Sequence, residues 1–256
     1  MQDDTADSVP SEPRVIYEDD ECCVIDKPAG WLTHEDRKTD APTVVEWLLG
    51  RAPEVGGVGE VGYAPDGQEL ERSGVVHRLD RETSGVMILA KTAAAHAHLK
   101  AEFHDRRARK TYRALVYGRV HDRYGTIDRA IGRSPRDPRL RSAQPGAKGP
   151  VRSATTEYEC VGSGEVDGET FSYLTLMPKT SRTHQLRVHL KSIDRPIIRD
   201  PLYAVHLAER SHHLGLDRLA LHAHTLELTI PSGATERFVA PVPPEIERAA
   251  DRLAEG

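Results

Sequence analysis

Three cysteines are all that this 256-residue chain contains, Cys22 and Cys23 side by side and Cys160 far away. An odd number with that spacing is no disulfide framework, and it points to a reducing, cytoplasmic setting. Aromatic residues make up 5% of the chain and hydrophobic residues 38%, a low share that still lies above the range of a disordered chain. Long apolar runs are missing as well. The stretch Val86-Met87-Ile88-Leu89-Ala90 is among the longest, and a bilayer-spanning helix needs roughly 20 residues. The opening Met1-Gln2-Asp3-Asp4 lacks the basic and apolar regions of a secretory signal. These absences exclude a membrane protein, a collagen-like fibre and a disulfide scaffold.

What remains is a length suited to one large domain or two small ones, with enough chain to bury a substantial core. The net charge is -5, which at first argues against a nucleic-acid partner, yet residues 104–152 hold 14 Lys and Arg against 4 Asp. An Arg-rich block inside an acidic chain, with Arg133, Arg136 and Arg139 near its middle, is either an electrostatic footprint for phosphates or a solvated loop. Residues 1–13 are polar, acidic and Pro-containing, and are expected to form a disordered tail ahead of one domain over 14–256.

The acidic turn 18–21 between Val15-Ile16-Tyr17 and Cys22-Cys23-Val24-Ile25 predicts a hairpin. Thr43 followed by Glu46 forms a capping box, and opens a helix that ends at Gly50. Five glycines and two prolines in 52–73 predict a long loop. A strand over 85–91, a helix from Thr92 to about Arg107 and a strand over 110–117 follow, then a basic loop or hairpin over 128–152. Two strands, 154–161 and 171–177, are expected around a Gly- and Glu-rich connector, with a helix at 182–192. In the strand 219–230, Leu219, Leu221 and Ala223 point one way and Leu226, Leu228 and Ile230 the other. That phase change predicts a bulge near His224-Thr225. Pro243-Pro244 starts a terminal helix. Strands outnumber helices without regular alternation, so the class is α+β and not a doubly wound sheet.

The densest chemistry lies in His77-Arg78-Leu79-Asp80-Arg81-Glu82-Thr83-Ser84-Gly85, leading into the apolar strand. One carboxylate between two arginines on a loop before a buried strand is either an ionised group placed at a cleft or an ordinary surface ion pair. This stretch resembles the signature of the RluA-like pseudouridine synthases. Other segments resemble family motifs in the right order: Asp26-Lys27-Pro28-Ala29-Gly30-Trp31, Lys110-Thr111-Tyr112-Arg113-Ala114-Leu115-Val116-Tyr117-Gly118 and Thr180-Ser181-Arg182-Thr183-His184-Gln185-Leu186-Arg187-Val188-His189-Leu190. Pro196-Ile197 with Asp200 and Tyr203, Leu221-His222-Ala223 and Phe238-x-Ala240-Pro241 extend the likeness across roughly 15–245.

The resemblance implies an α+β fold with a largely antiparallel mixed sheet, flanking helices and a central basic cleft. It also implies an RNA-modifying isomerase that converts specific uridines in rRNA or tRNA, with no metal and no cofactor, acting in the cytoplasm as a monomer without an obligate protein partner. It implies Asp80 as nucleophile, Tyr112 as the residue stacked on the target base and Arg182 as the partner that holds Asp80 ionised. Arg78, beside His77, would fill the place of the flipped uridine. Leu221 would line the uracil pocket, and Arg133 and Arg136 would belong to the RNA-binding surface. From the residues alone, Tyr112 and Leu221 are equally core positions and Arg182 a helix cap. Three departures from the family pattern stand out: Ser181 and Arg199 replace glycines, and Ile230 replaces a histidine before Pro231. Too few residues precede the first motif for an S4-type RNA-binding domain to be expected.

Two rival readings compete with this one. A metal-dependent hydrolase would draw on the 13 histidines, among them His184, His189, His206, His212, His213, His222 and His224. No H-E-x-x-H and no closely spaced Cys/His pattern accompanies them. A non-catalytic RNA-binding protein would share the basic block and lack turnover.

Overall fold

The computed structural model describes residues 12–36, 39–63, 67–137, 140–207 and 213–254. His212, Arg139 and all but two residues of the expected tail lie outside these ranges. In chain order the elements are β1 (Arg14–Glu18), β2 (Cys22–Lys27), α1 (Val44–Arg51), β3 (Gly62–Tyr63), β4 (Glu69–Leu70), β5 (Ser84–Ala90), α2 (Ala93–His104) and β6 (Arg109–Tyr117). There follow β7 (Tyr124–Asp128), β8 (Ile131–Arg133), β9 (Arg141–Ser142), β10 (Lys148–Arg152), β11 (Thr155–Val166), β12 (Glu169–Pro178), α3 (Gln185–Ser192), β13 (Leu221–Thr229), β14 (Thr235–Val239) and α4 (Pro244–Asp251).

Nine strands make one sheet in the order β1-β2-β5-β13-β6-β12-β11-β7, with β14 paired to β13. Every pairing in it is antiparallel except β5 with β13. The class is therefore α+β with a mixed, mostly antiparallel sheet, as expected. β5 is buried along its full length, which explains why it reads as an unbroken apolar run. Its core also holds residues of β2, α1, α2 and the second half of β13. A separate core is formed by β6, β12, α3 and α4 with Leu219 and Leu221. Tyr112 packs against both, so it marks the seam between the two halves.

At that seam the backbone geometry is demanding. Gly85 has φ 118°, and a Cβ there would run into the backbone of Ala223 on β13. Glycine is what lets the parallel strands approach, and their ends are tied by Ser84 Oγ and His222 Nδ1 at 2.8 Å. The register of β13 against β6 shifts between Ala223 and Thr225, the bulge that the phase change foretold. Leu221, before it, serves one core; Leu226 and Leu228, after it, serve the other.

Elsewhere the structure adds order to segments expected to be loops. Thr43 and Glu46 form the full capping box. The Gly-rich 52–73 region contains a 3₁₀ turn at Pro53–Val55 and the ribbon β3–β4. The basic segment becomes a three-stranded sheet, β10-β8-β9. The Gly/Glu-rich connector is strand almost throughout: β11 runs to Val166 and turns only at Asp167-Gly168. The helix expected at 182–192 begins at Gln185.

Candidate active site

The loop that carries Asp80 enters β5 beside the seam and is braced from below by the β2–α1 connection. Thr33 Oγ1 donates to Leu79 O at 3.0 Å and accepts from Leu79 N at 3.3 Å. Gly30 N donates to Arg81 O at 2.9 Å. Lys27, with no solvent exposure, donates through Nζ to the carbonyls of Pro28, Trp31 and Arg81 at 2.9, 2.8 and 3.2 Å. Burial pushes its pKa down to about 7, against the pull of nearby Asp80. The Lys-Pro-x-Gly motif thus clasps the Arg81 side of Asp80, at the cost of burying an ammonium, while Thr33 holds the Leu79 side.

Asp80 borders a cavity of about 310 Å³ whose wall also includes Arg78, Phe103, Tyr112, His184, Arg187 and Leu221. Its Oδ2 is 3.6 Å from Arg187 Nη1, and its Oδ1 is 4.0 Å from His184 Nε2. Arg187 is 3% exposed and holds the fully buried Asp200 with two bonds, Nε to Oδ2 at 2.7 Å and Nη2 to Oδ1 at 2.6 Å. Asp200 in turn accepts from the amides of Leu202 and Tyr203. Asp200 therefore fixes the guanidinium, and one of its nitrogens is left for Asp80. Hydrogen bonding to Asp200 and the two carboxylate charges raise the pKa of Arg187 against the effect of burial, so its charge is permanent.

This corrects the expected partner of Asp80. Arg182 donates from Nε to Ser153 O at 3.2 Å and lines the cavity without pairing with Asp80; the cation beside Asp80 is Arg187. The reason is local. Gln185 Oε1 accepts from Thr180 Oγ1 and from Arg182 N, while its Nε2 donates to Thr155 O and Thr156 Oγ1. That staple folds 180–184 into a turn, delays the helix to Gln185 and turns Arg182 aside. Further on, within the helix, Arg187 faces inward. The same segment contributes His184, which sequence reasoning raises only as a metal ligand.

Tyr112 lies on the cavity wall from β6, opposite Leu176 and Ala223. Burial, then the charge of Asp80, raises its pKa, so its hydroxyl stays protonated and the ring face is its useful surface. Leu221 is buried on the same wall. Arg78 is exposed at the rim. His77 reaches the cavity as a fixed structural group: Nε2 accepts from Ile88 N at 3.0 Å and the ring stacks on Phe103 at 4.3 Å. Burial lowers its pKa to about 3. Lys110, lowered to about 8 by burial, donates from Nζ to Ser181 Oγ at 2.6 Å. The serine that replaces glycine thus ties β6 to the far wall. The other replacement, Arg199, adopts φ 58°, the left-handed conformation that glycine would take freely.

A second hollow of about 300 Å³ shares Ser181, Arg182 and Thr183 with the first and is lined by Arg133, Arg141 and Arg152 from the small sheet. Arg136 is exposed in the β8–β9 turn. No group of three or more His, Cys, Asp or Glu among the described residues could hold a metal ion. His222 bonds Ser84 and Ala240 O, and His189 bonds Thr156 and Arg129 O. No helix among the described residues is long and apolar enough to cross a membrane.

The sequence profile described as RNA pseudouridylate synthase matches residues 21–192. A Synechocystis protein named as an uncharacterized RNA pseudouridine synthase is 35% identical over 250 residues, covering 96% of this chain and 70% of the relative. A Chloroflexus aurantiacus protein of like name is 40% identical over 222 residues, covering 86% of this chain and 63% of the relative. The ribosomal large subunit pseudouridine synthase D of Xanthomonas campestris is 38% identical over 254 residues, covering 94% and 70%. The chain thus spans about two thirds of the length of these relatives. In fold it is similar to the human RNA pseudouridylate synthase domain containing 1, with a TM-score of 0.71, 24% identity and coverage of 97% and 95%. On this sequence similarity, the chain belongs to the RNA pseudouridylate synthase family.

Proposed function

We propose that this protein isomerises specific uridines in rRNA or tRNA to pseudouridine, with Asp80 as the nucleophile. The observation that carries this reading is the placement of Asp80: a carboxylate at a base-sized cavity, facing a buried, permanently charged Arg187 on one side of a tyrosine ring. Isomerisation breaks the C1′–N1 bond, turns the uracil and joins C5 to C1′, and the C5 proton is released. The base stays in the site throughout, so no metal, nucleotide or redox cofactor is required. An ionised carboxylate can add to uracil C6, capture C1′ or take a proton on the way to a glycal; each route needs a charged carboxylate, and Arg187 Nη1 stands 3.6 Å from it.

The target uridine must leave its stack, which costs a few kcal/mol and least in a loop. Stacking on Tyr112 returns roughly 1–3 kcal/mol, and Arg78 at the rim is placed to fill the vacancy. Leu221 closes the apolar side of the pocket. Arg133, with Arg182 at the junction of the two hollows, and Arg136 at the nearby turn, would hold the flanking backbone. Relatives named for the ribosomal large subunit favour rRNA as the target. We place the reaction in the cytoplasm, with a monomer as the active species.

The test is tritium release from [5-³H]uridine-labelled rRNA and tRNA, with and without EDTA. Equal release under both conditions supports the reading. Loss on chelation would indicate a metal enzyme, and binding without release a silent RNA-binding protein. Comparing pseudouridine maps from a strain lacking the gene and its parent then identifies the site.

A further inference from the structure

Asp80, Arg187 and Tyr112 leave one polar pair at the cavity without a task. His184 stands just before α3 with φ 56°, and its side chain makes no helix cap. A non-glycine residue is strained in that left-handed conformation, so the surrounding structure must hold it there. What the conformation achieves is to direct the ring between two partners. Nε2 faces Asp80 Oδ1 at 4.0 Å, and Nδ1 lies 2.9 Å from Tyr203 Oη.

Tyr203 fixes the proton on that ring. Its hydroxyl accepts from the backbone N–H of Arg141 on β9 at 2.9 Å. With that donor directed at its oxygen, and with a carboxylate acceptor on the far side of the ring, every group is satisfied when the phenolic proton goes to His184 Nδ1 and the neutral imidazole carries its own proton on Nε2, facing Asp80. Burial raises the Tyr203 pKa to about 12, so the donor is present throughout the working range. The groups acting on His184 come from every side. Burial, Arg187 on its own helix and Arg78 on the nucleophile loop favour the neutral ring; Asp80 and Asp200 oppose them, and the net pKa is lowered. The Tyr203 ring meets His184 edge-on at 5.7 Å and lies 5.3 Å from the Arg187 guanidinium. One side chain therefore supports both groups that flank the Asp80 carboxylate.

We propose that Tyr203 is a positioning residue for the reaction, holding His184 as an Nε2–H donor toward Asp80 through its hydroxyl and bracing Arg187 with its ring. The proposal rests on the pseudouridine synthase reading of the site. It also links the small basic sheet toward the nucleophile: Arg141 N–H bonds Tyr203, Tyr203 bonds His184, and His184 Nε2 comes within 4.0 Å of Asp80.

Tyr203→Phe keeps the ring over Arg187 and removes the hydroxyl. By analogy with groups that orient metal ligands, kcat should fall about 10- to 100-fold with KM for labelled rRNA or tRNA unchanged. The free Nδ1 lone pair then binds a proton more readily, so His184 becomes charged at higher pH and the acid limb of the kcat profile moves upward. Two-bond ¹⁵N–¹H spectra of the histidine rings provide a readout independent of turnover. His184 should be an Nε2–H tautomer in the unmodified protein, and mixed or shifted toward Nδ1–H in Tyr203→Phe. Tyr203→Leu, which also removes the ring, should cost more than Tyr203→Phe. An Nδ1–H tautomer in the unmodified protein, or a Tyr203→Phe protein with unaltered kcat, pH profile and ring spectrum, would overturn the proposal alone. A protein that turns over no RNA would overturn the functional reading and the positioning role with it, whatever the spectrum.

Discussion

Arg187→Lys is the substitution that best separates the role of this arginine from that of Arg182. Arg187→Met would be too blunt: it leaves Asp200, whose side chain has no exposure, as a buried charge held only by backbone amides. Breaking a buried pair in that way costs about 3–5 kcal/mol, a large part of the roughly 5–15 kcal/mol of a typical domain. Lysine keeps the charge but loses the fork. A single ammonium cannot hold both Asp200 oxygens and also reach Asp80, and Asp200, more deeply buried, captures it. One charge-assisted hydrogen bond is lost, so the unfolding free energy in urea should fall by about 1.5–3 kcal/mol. For Asp80, a unit charge at 3.6 Å is worth about 1 kcal/mol in water and about 5 kcal/mol at an effective dielectric of 20. A carboxylate that is 19% exposed falls between those limits. Displacing the cation should therefore remove about 1.5–3 kcal/mol of transition-state stabilisation, roughly 10- to 100-fold in kcat. Arg182→Gln, by contrast, should raise KM and leave kcat nearly intact. A folded Arg187→Lys enzyme with unchanged kcat, or an Arg182→Gln enzyme with the larger kcat loss, would refute the assignment.

Tyr112→Ala should lose far more tritium release than Tyr112→Phe, because the ring face and not the protonated hydroxyl meets the base; equal rates for all three proteins would exclude stacking. Replacing Arg133 and Arg136 with glutamate should weaken RNA binding and flatten the slope of log K against log salt by about one for each phosphate no longer neutralised, and an unchanged slope would put the binding face elsewhere. Lys27, with its pKa lowered from 10.5 to about 7, binds a proton less readily folded than unfolded. Between those values the unfolded chain holds more protons, so this residue makes the unfolding free energy rise with pH across that window. Lys27→Met should remove that rise, as measured by urea unfolding at pH 7 and pH 10, and an identical rise in the variant would contradict the buried-ammonium account.

Much of the site was legible because its chemistry is local in sequence. The loop around Asp80, the Thr43/Glu46 cap and the reversal between Ala223 and Leu226 each announce themselves within a few residues. The partner of Asp80 did not, because it depends on where α3 begins. The family resemblance pointed to Arg182, but the Gln185 staple keeps that residue in a turn ahead of the helix, and the arginine that faces Asp80 is Arg187 within it. Asp200, which the structure buries against Arg187, carries no sign of that burial in the sequence. The strand character of 162–166 was hidden by its two glycines and Glu165: β12 supplies the pairing that composition alone does not favour. The small sheet of β8–β10 lacks an apolar period as well: of its strand residues Ile131 alone joins a buried apolar cluster, with Ala154, Val188 and Tyr203, and the rest is held by register.

The central claim is that Asp80 performs the chemistry, and Asp80→Asn tests it directly. The side-chain volume is retained while the charge and nearly all nucleophilicity are lost, and circular dichroism is the check that the variant is folded. The account predicts a protein that still binds rRNA or tRNA and releases no tritium from [5-³H]uridine. Glu82, two residues on, pairs with Arg81 at 3.6 Å, and Asp200 is committed to Arg187, so neither can substitute. Substantial release by Asp80→Asn would contradict the mechanism.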